Sequence, residues 1–385
     1  MRIALLPGLR FNGSQVSSSL KKLMLDVDVF TSSRFKQWSH LNRSNYHFIP
    51  MPFTVIQRTT GIMRKTWMKE FDARFFDKCS RSSLGKKAAV VHGWATFSLE
   101  SGKRAKRNGG FYFLDRACPH IEFQNQLLDE EASHLGMTFT KSSNAFVDRA
   151  LEEYDACDKI VLPSDYSLNS FLSRGFPKEK LIKAPLSSNF QPKLIGTYNS
   201  KPKDALFVVG FVGGNILRKG LIYLIHAWQN LKLNNAVLKL KISQKELERI
   251  PHLLSKINSD PSIEIIGYIQ DMETFYRQCD VFCLPSIDDG FGMVVFEAMG
   301  CGVPVIASKN AGATEMLSNQ HCSDVVEPRN AVQITEAIYK YYADRELLEN
   351  AKKEAATFFE KVTAVDYHFN AMKDLYKDVI DDHIK

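Results

Sequence analysis

Residues 281–308 read VFCLPSIDDGFGMVVFEAMGCGVPVIAS. A short apolar strand opens the run and a second one, VPVIAS, closes it. Between them, a turn holding Asp288, Asp289, Gly290 and Gly292 leads into a helix predicted from about Met293 to Met299. Strands that are apolar throughout, separated by a turn and a helix, belong to a parallel sheet covered on both faces. A glycine-rich turn that leaves the carboxyl end of such a strand and starts a helix presents free N–H groups to an anion.

Two acids frame this turn. An isolated pair such as Asp289 and Glu297 is ordinarily a helix cap and a surface ion pair. Glu297 argues for more, because it is embedded in the apolar helix MVVFEAMGCG, where an unpaired carboxylate is costly. Carboxylates accept hydrogen bonds from hydroxyls, so the two acids can hold two sets of hydroxyls on either side of a phosphate.

The same grammar extends outward. From about 205 onward, ALFVVGFVG, AVLKLKIS, IEIIGYI, VFCLPS and VPVIAS alternate with helical patterns such as LRKGLIYLIHAWQNL. In the first half, RIALLP, AAVVHGW, GGFYFLD and DKIVLPS read as strands with helices between them. The 385 residues exceed what one core usually holds. The expected architecture is therefore α/β, with two Rossmann-like doubly wound domains facing a cleft. Residues 1–190 form the first and 200–361 the second, with a Ser-, Pro-, Asn- and Gly-rich linker at about 186–204. In VTAVDYHFNAMKDLYKDVIDD, apolar residues recur every three or four positions, which predicts an amphipathic C-terminal helix over 362–385.

Composition narrows the class. No apolar stretch approaches the roughly 20 residues of a spanning helix. MRIALLPGLR reads as a buried first strand rather than a secretion signal, so the mature chain is expected to begin at Met1. The seven cysteines (79, 118, 157, 279, 283, 301, 322) form no CxxC pair, which suits reduced buried thiols and a cytoplasmic address. No His/Cys cluster has metal-ligand spacing. A formal charge of +7 suits nucleotide phosphates or an anionic membrane surface, and no basic-aromatic module points to nucleic acid.

At this point the chain resembles the retaining glycosyltransferases of family four, which have the GT-B fold. Their signature is an acid, seven residues and a Glu, in a context like PS..E.FG...EAM.CG.PVI. Here Pro285, Ser286, Asp289, Phe291, Gly292, Glu297, Ala298, Met299, Cys301, Gly302, Pro304, Val305 and Ile306 stand in that register. VVGFVGGNILRKGLIYLIHAW resembles the first strand and phosphate loop of the family's second domain, and GYIQDMETFYRQCDVFCLPS the segment framing the nucleobase. HGWATFSLESGKRAKRNGG and EYDACDKIVLPSDYSLNSFL resemble parts of the first domain.

The resemblance implies roles. Glu297 binds the ribose hydroxyls of a nucleotide sugar, while Asp289 and the amides of Gly290, Phe291, Gly292 and Met293 meet the donor sugar and phosphates. Lys219 matches the pyrophosphate lysine, whose fixed cation stabilises charge on the departing diphosphate. Relatives often carry an Arg five positions earlier; here that residue is Gly214, and Arg218 is the substitute. Gly13, in LRFNGSQ, is where backbone approaches the phosphates, although a lone glycine in a turn is usually only a turn. His92, at the end of AAVVH, is read as facing the cleft and the sugar. Tyr268 lies by the nucleobase or in the core. Arg116 and His120 either contact acceptor or donor or cap a helix. The family's first acid is Glu, whereas Asp289 is one methylene shorter, which leaves the donor sugar open.

The implied reaction is metal-independent transfer with retained anomeric configuration, from a UDP- or GDP-sugar to a glycan or lipid-linked acceptor of bacterial surface polysaccharide, with no cofactor. The departing phosphate itself takes the acceptor's proton in this family. The implied C-terminal helix packs back on the first domain. Two rivals share the features above: a nucleotide-sugar epimerase of the same fold and a non-catalytic nucleotide-sugar binding subunit.

One stretch stands apart from these motifs. Across 52–78, Arg64, Lys65, Lys69 and Arg74 interleave with Met63, Trp67, Phe71 and Phe75. The ordinary reading buries that stripe in the first domain. The alternative lays a basic aromatic helix on an anionic bilayer at the inner face of the cytoplasmic membrane.

Overall fold

Continuous apolar runs demand partners on both faces, and the fold supplies them in two parallel sheets. A computed structural model describes residues 2–8, 12–34, 38–60, 66–84, 89–137, 139, 141–186, 190, 192–202, 204–267, 269–317 and 320–384. Two compact units result. Unit 1 holds residues 1–125, 140–187 and 367–385, and unit 2 holds 126–139 and 188–366.

The sheet of unit 1 is built from β1 (Arg2–Gly8), β2 (Asp26–Thr31), β3 (Tyr46–Phe48), β4 (Val90–Trp94), β5 (Phe111–Asp115), β6 (Lys159–Leu162) and β7 (Leu181–Lys183). Its order is β3-β2-β1-β4-β5-β6-β7, parallel throughout. Unit 2 uses β8 (Phe207–Val212), β9 (Ala236–Lys241), β10 (Ile263–Ile266), β11 (Val281–Leu284), β12 (Val305–Ser308) and β13 (Ser323–Val326), in the order β10-β9-β8-β11-β12-β13. Each sheet reverses its winding once. The switch falls between β1 and β4 in unit 1 and between β8 and β11 in unit 2, and ligands of open α/β sheets bind at the carboxyl side of such switches.

Successive side chains on a strand point to opposite faces, and the two cores of unit 1 follow that rule. Ala4, Leu6, Val91, Tyr112, Leu114, Ile160 and Leu162 line one face. Ile3, Leu5, Val90, Trp94, Phe113 and Val161 line the other, under Val16 and Leu20 of the helix Gly13–Lys22 and under Met372, Leu375, Tyr376 and Val379. Those last four belong to the C-terminal helix, which runs over Tyr367–Ile384 and starts five residues later than expected, because the preceding helix continues through Ala364. It therefore packs on unit 1. Burying each of these apolar side chains contributes about 2 kcal/mol.

His92 lies on the same face, and the cleft-facing reading of it is corrected here. Positions 90, 92 and 94 share a face, so the imidazole enters the core instead of the carboxyl edge. It is fully buried, stacked on Trp94, with Nδ1 paired to the Tyr376 hydroxyl at 2.9 Å. Burial, with the nearby His368 adding to it, pushes its pKa down to about 3.

In unit 2 the pattern LRKGLIYLIHAWQNL forms two helices, Ile216–Lys219 and Leu221–Leu231, broken at Gly220. A buried ionic strut closes the base of this unit. Asp280, just before β11, accepts from Lys201 at 2.8 Å, Lys352 at 2.9 Å and the Val208 amide at 2.9 Å. Charges this buried persist only when paired and hydrogen-bonded.

The helix Thr66–Ser83 divides its faces sharply. Ala73, Phe76, Asp77 and Ser80 are buried, whereas Trp67, Phe71, Arg74 and Lys78, which share a helical face by spacing, are exposed. The burial expected for the 52–78 stripe therefore fails at Trp67 and Phe71, while Met63, Arg64 and Lys65 lie outside the described residues. Among the described residues no helix is long and apolar enough to cross a membrane.

A histidine held neutral by burial makes stability fall as the unfolded chain takes up the proton that the folded one refuses. His92 has its ordinary value of 6.5 when unfolded and about 3 when folded, so its contribution is complete above 6.5 and is lost as pH falls toward 3. In urea unfolding from pH 7 to pH 5, the stability of wild type relative to His92→Phe should decline by up to about 1.4 kcal/mol per pH unit. Parallel curves for the two proteins would show that His92 is not buried neutral.

Candidate functional site

Two adjacent strands of unit 2 deliver the groups that the sequence singled out. β8 runs into the glycine pair 213–214 and the short helix Ile216–Lys219, and β11 runs into the loop 285–293. β8 and β11 pair with each other, so both loops emerge at the carboxyl side of the switch point.

What joins the loops is a close backbone contact. Gly220 adopts φ +63°, and a Cβ there would stand 2.0 Å from the Pro285 carbonyl oxygen. The approach to Pro285 leaves no space for a Cβ, and the left-handed backbone favours glycine as well. One turn earlier, the Arg218 carbonyl accepts the amides of Ile287 at 2.8 Å and Asp288 at 3.1 Å. The acidic loop is thus hydrogen-bonded onto the backbone of the basic one.

This register pairs the four charges residue by residue. Arg218 Nε donates to Asp288 Oδ2 at 2.9 Å, and Lys219 Nζ donates to Asp289 Oδ2. Asp288 is fully buried, whereas Lys219 and Asp289 keep 18% and 14% of their side-chain surface. Arg218 keeps 26%, so of the two acids only Asp289 is within reach of a solute.

On its far side the acidic loop is held by the segment after β12. The Asp289 amide donates to the Asn310 carbonyl, its own carbonyl accepts Gly312 N–H at 3.0 Å, and Ala313 N–H donates to the Phe291 carbonyl. Gly292, at φ +85°, lies so that a Cβ would come within 3.4 Å of Asp289 Oδ2. The helix then runs over Val294–Gly300, with Met293 as its first flanking residue. Glu297, half-buried on it, accepts from the Tyr276 hydroxyl at 2.8 Å. Burial raises the Glu297 carboxyl, and the tyrosine partly offsets this.

The structure sorts the remaining candidates. Gly290, Gly292 and Met293 lie in the acidic loop beside Asp289, but the Phe291 ring is buried and stacked on Phe296, so only its backbone belongs to the site. Gly214 faces open space, with no atom within 4 Å of a Cβ placed there. Arg218, read as the substitute for the missing arginine, donates its Nε to Asp288 and keeps 26% of its side-chain surface. Tyr268 lies outside the described residues.

In unit 1, three candidates have structural partners. Gly13 is required by packing, since a Cβ would meet Pro7 at 2.8 Å and Trp38 at 3.0 Å. His120 is buried among Tyr154, Phe171 and Phe176, and its Nδ1 accepts the Glu122 amide at 3.3 Å, as a helix cap does. Its pKa falls to about 4 through burial. Arg116 braces its own turn, donating to the Pro119 carbonyl at 3.0 Å and to Gln124. The polar group that does stand at the carboxyl ends of these strands is a chain from Trp94 Nε1 to Asn12 Oδ1 at 2.9 Å and from Asn12 Nδ2 to Asp115 Oδ2 at 3.1 Å. Burial pushes Asp115 up to about 7.

Sequence reasoning missed Asp288 and Tyr276 as parts of the site. Asp288 was visible as one of two adjacent acids, matched by two adjacent cations at 218 and 219. Tyr276 gave no such signal, since its hydroxyl meets Glu297 from a different helix.

Residues 198–358 match the family of glycosyl transferases group 1. An uncharacterised glycosyltransferase of Methanocaldococcus jannaschii is 30% identical over 190 residues, which cover 47% of this chain and 53% of that one. The capsular polysaccharide biosynthesis glycosyltransferase CapM of Staphylococcus aureus is 28% identical over 148 residues, covering 37% and 38%. The chain thus spans about half or less of the length of these curated relatives. Among solved structures, Anabaena Alr3699/HepE in complex with UDP and glucose superposes with a TM-score of 0.65 at 15% identity, over 99% of this chain and 100% of that one. The two doubly wound units are those of the GT-B fold.

Two glycines of the basic loop should respond in opposite ways. Gly220→Ala should cost well over 1 kcal/mol, because both the backbone conformation and the Pro285 contact forbid a side chain, whereas Gly214→Ala should leave the melting temperature unchanged. Equal melting temperatures for the two variants would contradict the loop contact described here.

Proposed function

We propose that the protein is a retaining glycosyltransferase that moves a sugar from a nucleotide-sugar donor, with a UDP- or GDP-sugar as the candidate, to a glycan or lipid-linked acceptor in bacterial surface polysaccharide synthesis. The observation that carries this reading is the joined pair of loops at the switch point of unit 2, which presents Lys219 and Asp289 together, with Glu297 on the helix that follows. The family match over 198–358 and the UDP and glucose held by a protein of the same fold support it.

Each group has a role in that chemistry. Lys219 is the cation for the diphosphate and stabilises the charge that grows as the sugar leaves. Glu297, steadied by Tyr276, accepts two hydroxyls of the ribose, and its partial burial makes those bonds worth more than they are in water. Asp289 accepts hydroxyls of the transferred sugar. Cationic side chains supply the charge stabilisation here, so the reaction proposed needs no metal and no cofactor.

A second observation bears on where the acceptor is met. Trp67 and Phe71 are 53% and 48% exposed, with Val55 and Ile56 exposed on the neighbouring helix Pro52–Thr60, and Lys69, Arg74 and Lys78 are exposed beside them. Aromatic and cationic side chains on one surface suit the headgroup region of an anionic bilayer. We infer peripheral attachment at the inner face of the cytoplasmic membrane.

Incubation with UDP-, GDP-, ADP- and TDP-sugars tests the enzymatic reading. Release of nucleoside diphosphate is expected, and Glu297→Ala and Lys219→Ala should each lower it about a hundredfold or more. An isomerised donor would instead indicate an epimerase, binding without turnover a non-catalytic subunit, and near-normal release in both variants a different site. For the membrane, the protein should float with phosphatidylglycerol vesicles at low salt, and Trp67→Ala/Phe71→Ala should remain at the bottom of the gradient; a wild-type protein that stays at the bottom rules out the attachment.

A further inference from the structure

The two ion pairs of the site share a charge pattern, but their acids differ in accessibility, and the difference has a consequence for binding. Arg218 and Lys219 carry two positive charges, Asp288 and Asp289 two negative ones, and each cation is already taken. A diphosphate that arrives here meets no net positive charge. It has to replace one of the carboxylates.

Only one of them can yield. Asp288 is fully buried, and the Arg218 carbonyl holds its backbone to the same element that its side chain pairs with. Asp289 is partly exposed, its amide and carbonyl are fixed by Asn310 and Gly312, and its side chain is therefore free to turn while its backbone stays in place. Gly292 lies directly beside it: a Cβ there would touch Leu284 at 3.2 Å and Asp289 Oδ2 at 3.4 Å, so a glycine keeps a side chain from crowding the carboxylate.

We infer that Asp289 is a built-in counter-ion that occupies Lys219 until a diphosphate displaces it, and that this exchange makes the site select a nucleotide that still carries its sugar over the free nucleotide. The inference rests on the nucleotide-sugar reading above. A displaced carboxylate at a partly desolvated position needs hydrogen-bond donors. A nucleotide sugar brings both parts of the exchange: phosphate oxygens that take over Lys219, and hydroxyls that take over Asp289. A free nucleoside diphosphate brings only the first, and leaves Asp289 without donors beside a like charge. Discrimination against the spent donor, and hence its release, follows from one carboxylate.

Calorimetric titration of wild type and Asp289→Asn with UDP and UDP-glucose, and with GDP and GDP-mannose, tests this. For the pair that wild type binds, Asp289→Asn should bind the free nucleotide about tenfold more tightly, and the preference for the sugar-bearing form should shrink toward none. Asp289→Glu, which keeps the charge, should retain the wild-type preference. If Asp289→Asn does not fold, Asp289→Ser removes the same charge and is read in the same way. Unchanged or weaker binding of the free nucleotide on loss of the charge overturns the counter-ion role while the nucleotide-sugar reading stands. A wild-type protein that binds none of the four ligands overturns both.

Discussion

The contact between Gly220 and the Pro285 carbonyl is the constraint on which the site depends. It brings the loop after β8 against the loop after β11 more closely than any side chain permits. At that separation the Arg218 carbonyl reaches two amides of the acidic loop, and the two cations fall opposite the two acids. Move the loops apart by the width of a methyl group and the geometry fails at once: the amides lose their acceptor, and the buried Asp288 loses its ion pair with Arg218. Removing one partner of such a pair is worth about 3–5 kcal/mol. A single backbone approach therefore decides whether four charged residues are an ordered site or a liability.

The two pairs formed in this way do different work. Arg218 with Asp288 is a strut, dry at the acid and tied to backbone at both ends. Lys219 and Asp289 keep 18% and 14% of their side-chain surface, so this acid, unlike Asp288, can be reached and exchanged. Arg218 thus shapes the loop through its pair with Asp288, while Lys219 has the partner that a solute can reach. Glu297 follows a similar logic. Its helix is apolar, which raises the cost of its charge, and the Tyr276 hydroxyl meets one carboxylate oxygen and fixes the direction of the group.

Much of this was legible in the sequence because it is local. Apolar runs of four to seven residues became the central strands, the turn at 288–292 and the helix beginning at Val294 fell where the pattern placed them, and Asp289, Glu297 and Lys219 came with a recognisable register. What was not legible is set by contacts between residues distant in the chain. The Tyr276 hydroxyl finds Glu297 across 21 positions, and the pairing of 218 with 288 spans 70. β13 and β7 carry weak apolar signals, since a short edge strand is stabilised by its neighbour more than by its own residues. The break at Gly220 was hidden by a helical pattern that continues through it, because periodicity records which residues face a core and not whether the backbone turns. Residues 126–139 join unit 2 although they follow the fifth strand of unit 1, an assignment made by long-range packing alone.

His92 shows where positional reasoning fails. Proximity to the carboxyl end of a strand suggested a ligand contact, yet a strand alternates its faces, and the face on which a side chain lies matters more than its distance from the edge. Val90, His92 and Trp94 share one face, and what covers that face is a helix nearly 300 residues further along the chain, whose Tyr376 hydroxyl stands ready for the imidazole. An imidazole with a hydroxyl partner inside an apolar layer is held neutral, and it prefers the arrangement in which that helix is docked. The residue that looked like part of the chemistry is thus part of the fastening that returns the end of the chain to its first unit. The polar groups at the ends of the same strands, Asn12 and Asp115, are the ones whose positions lie at the carboxyl edge.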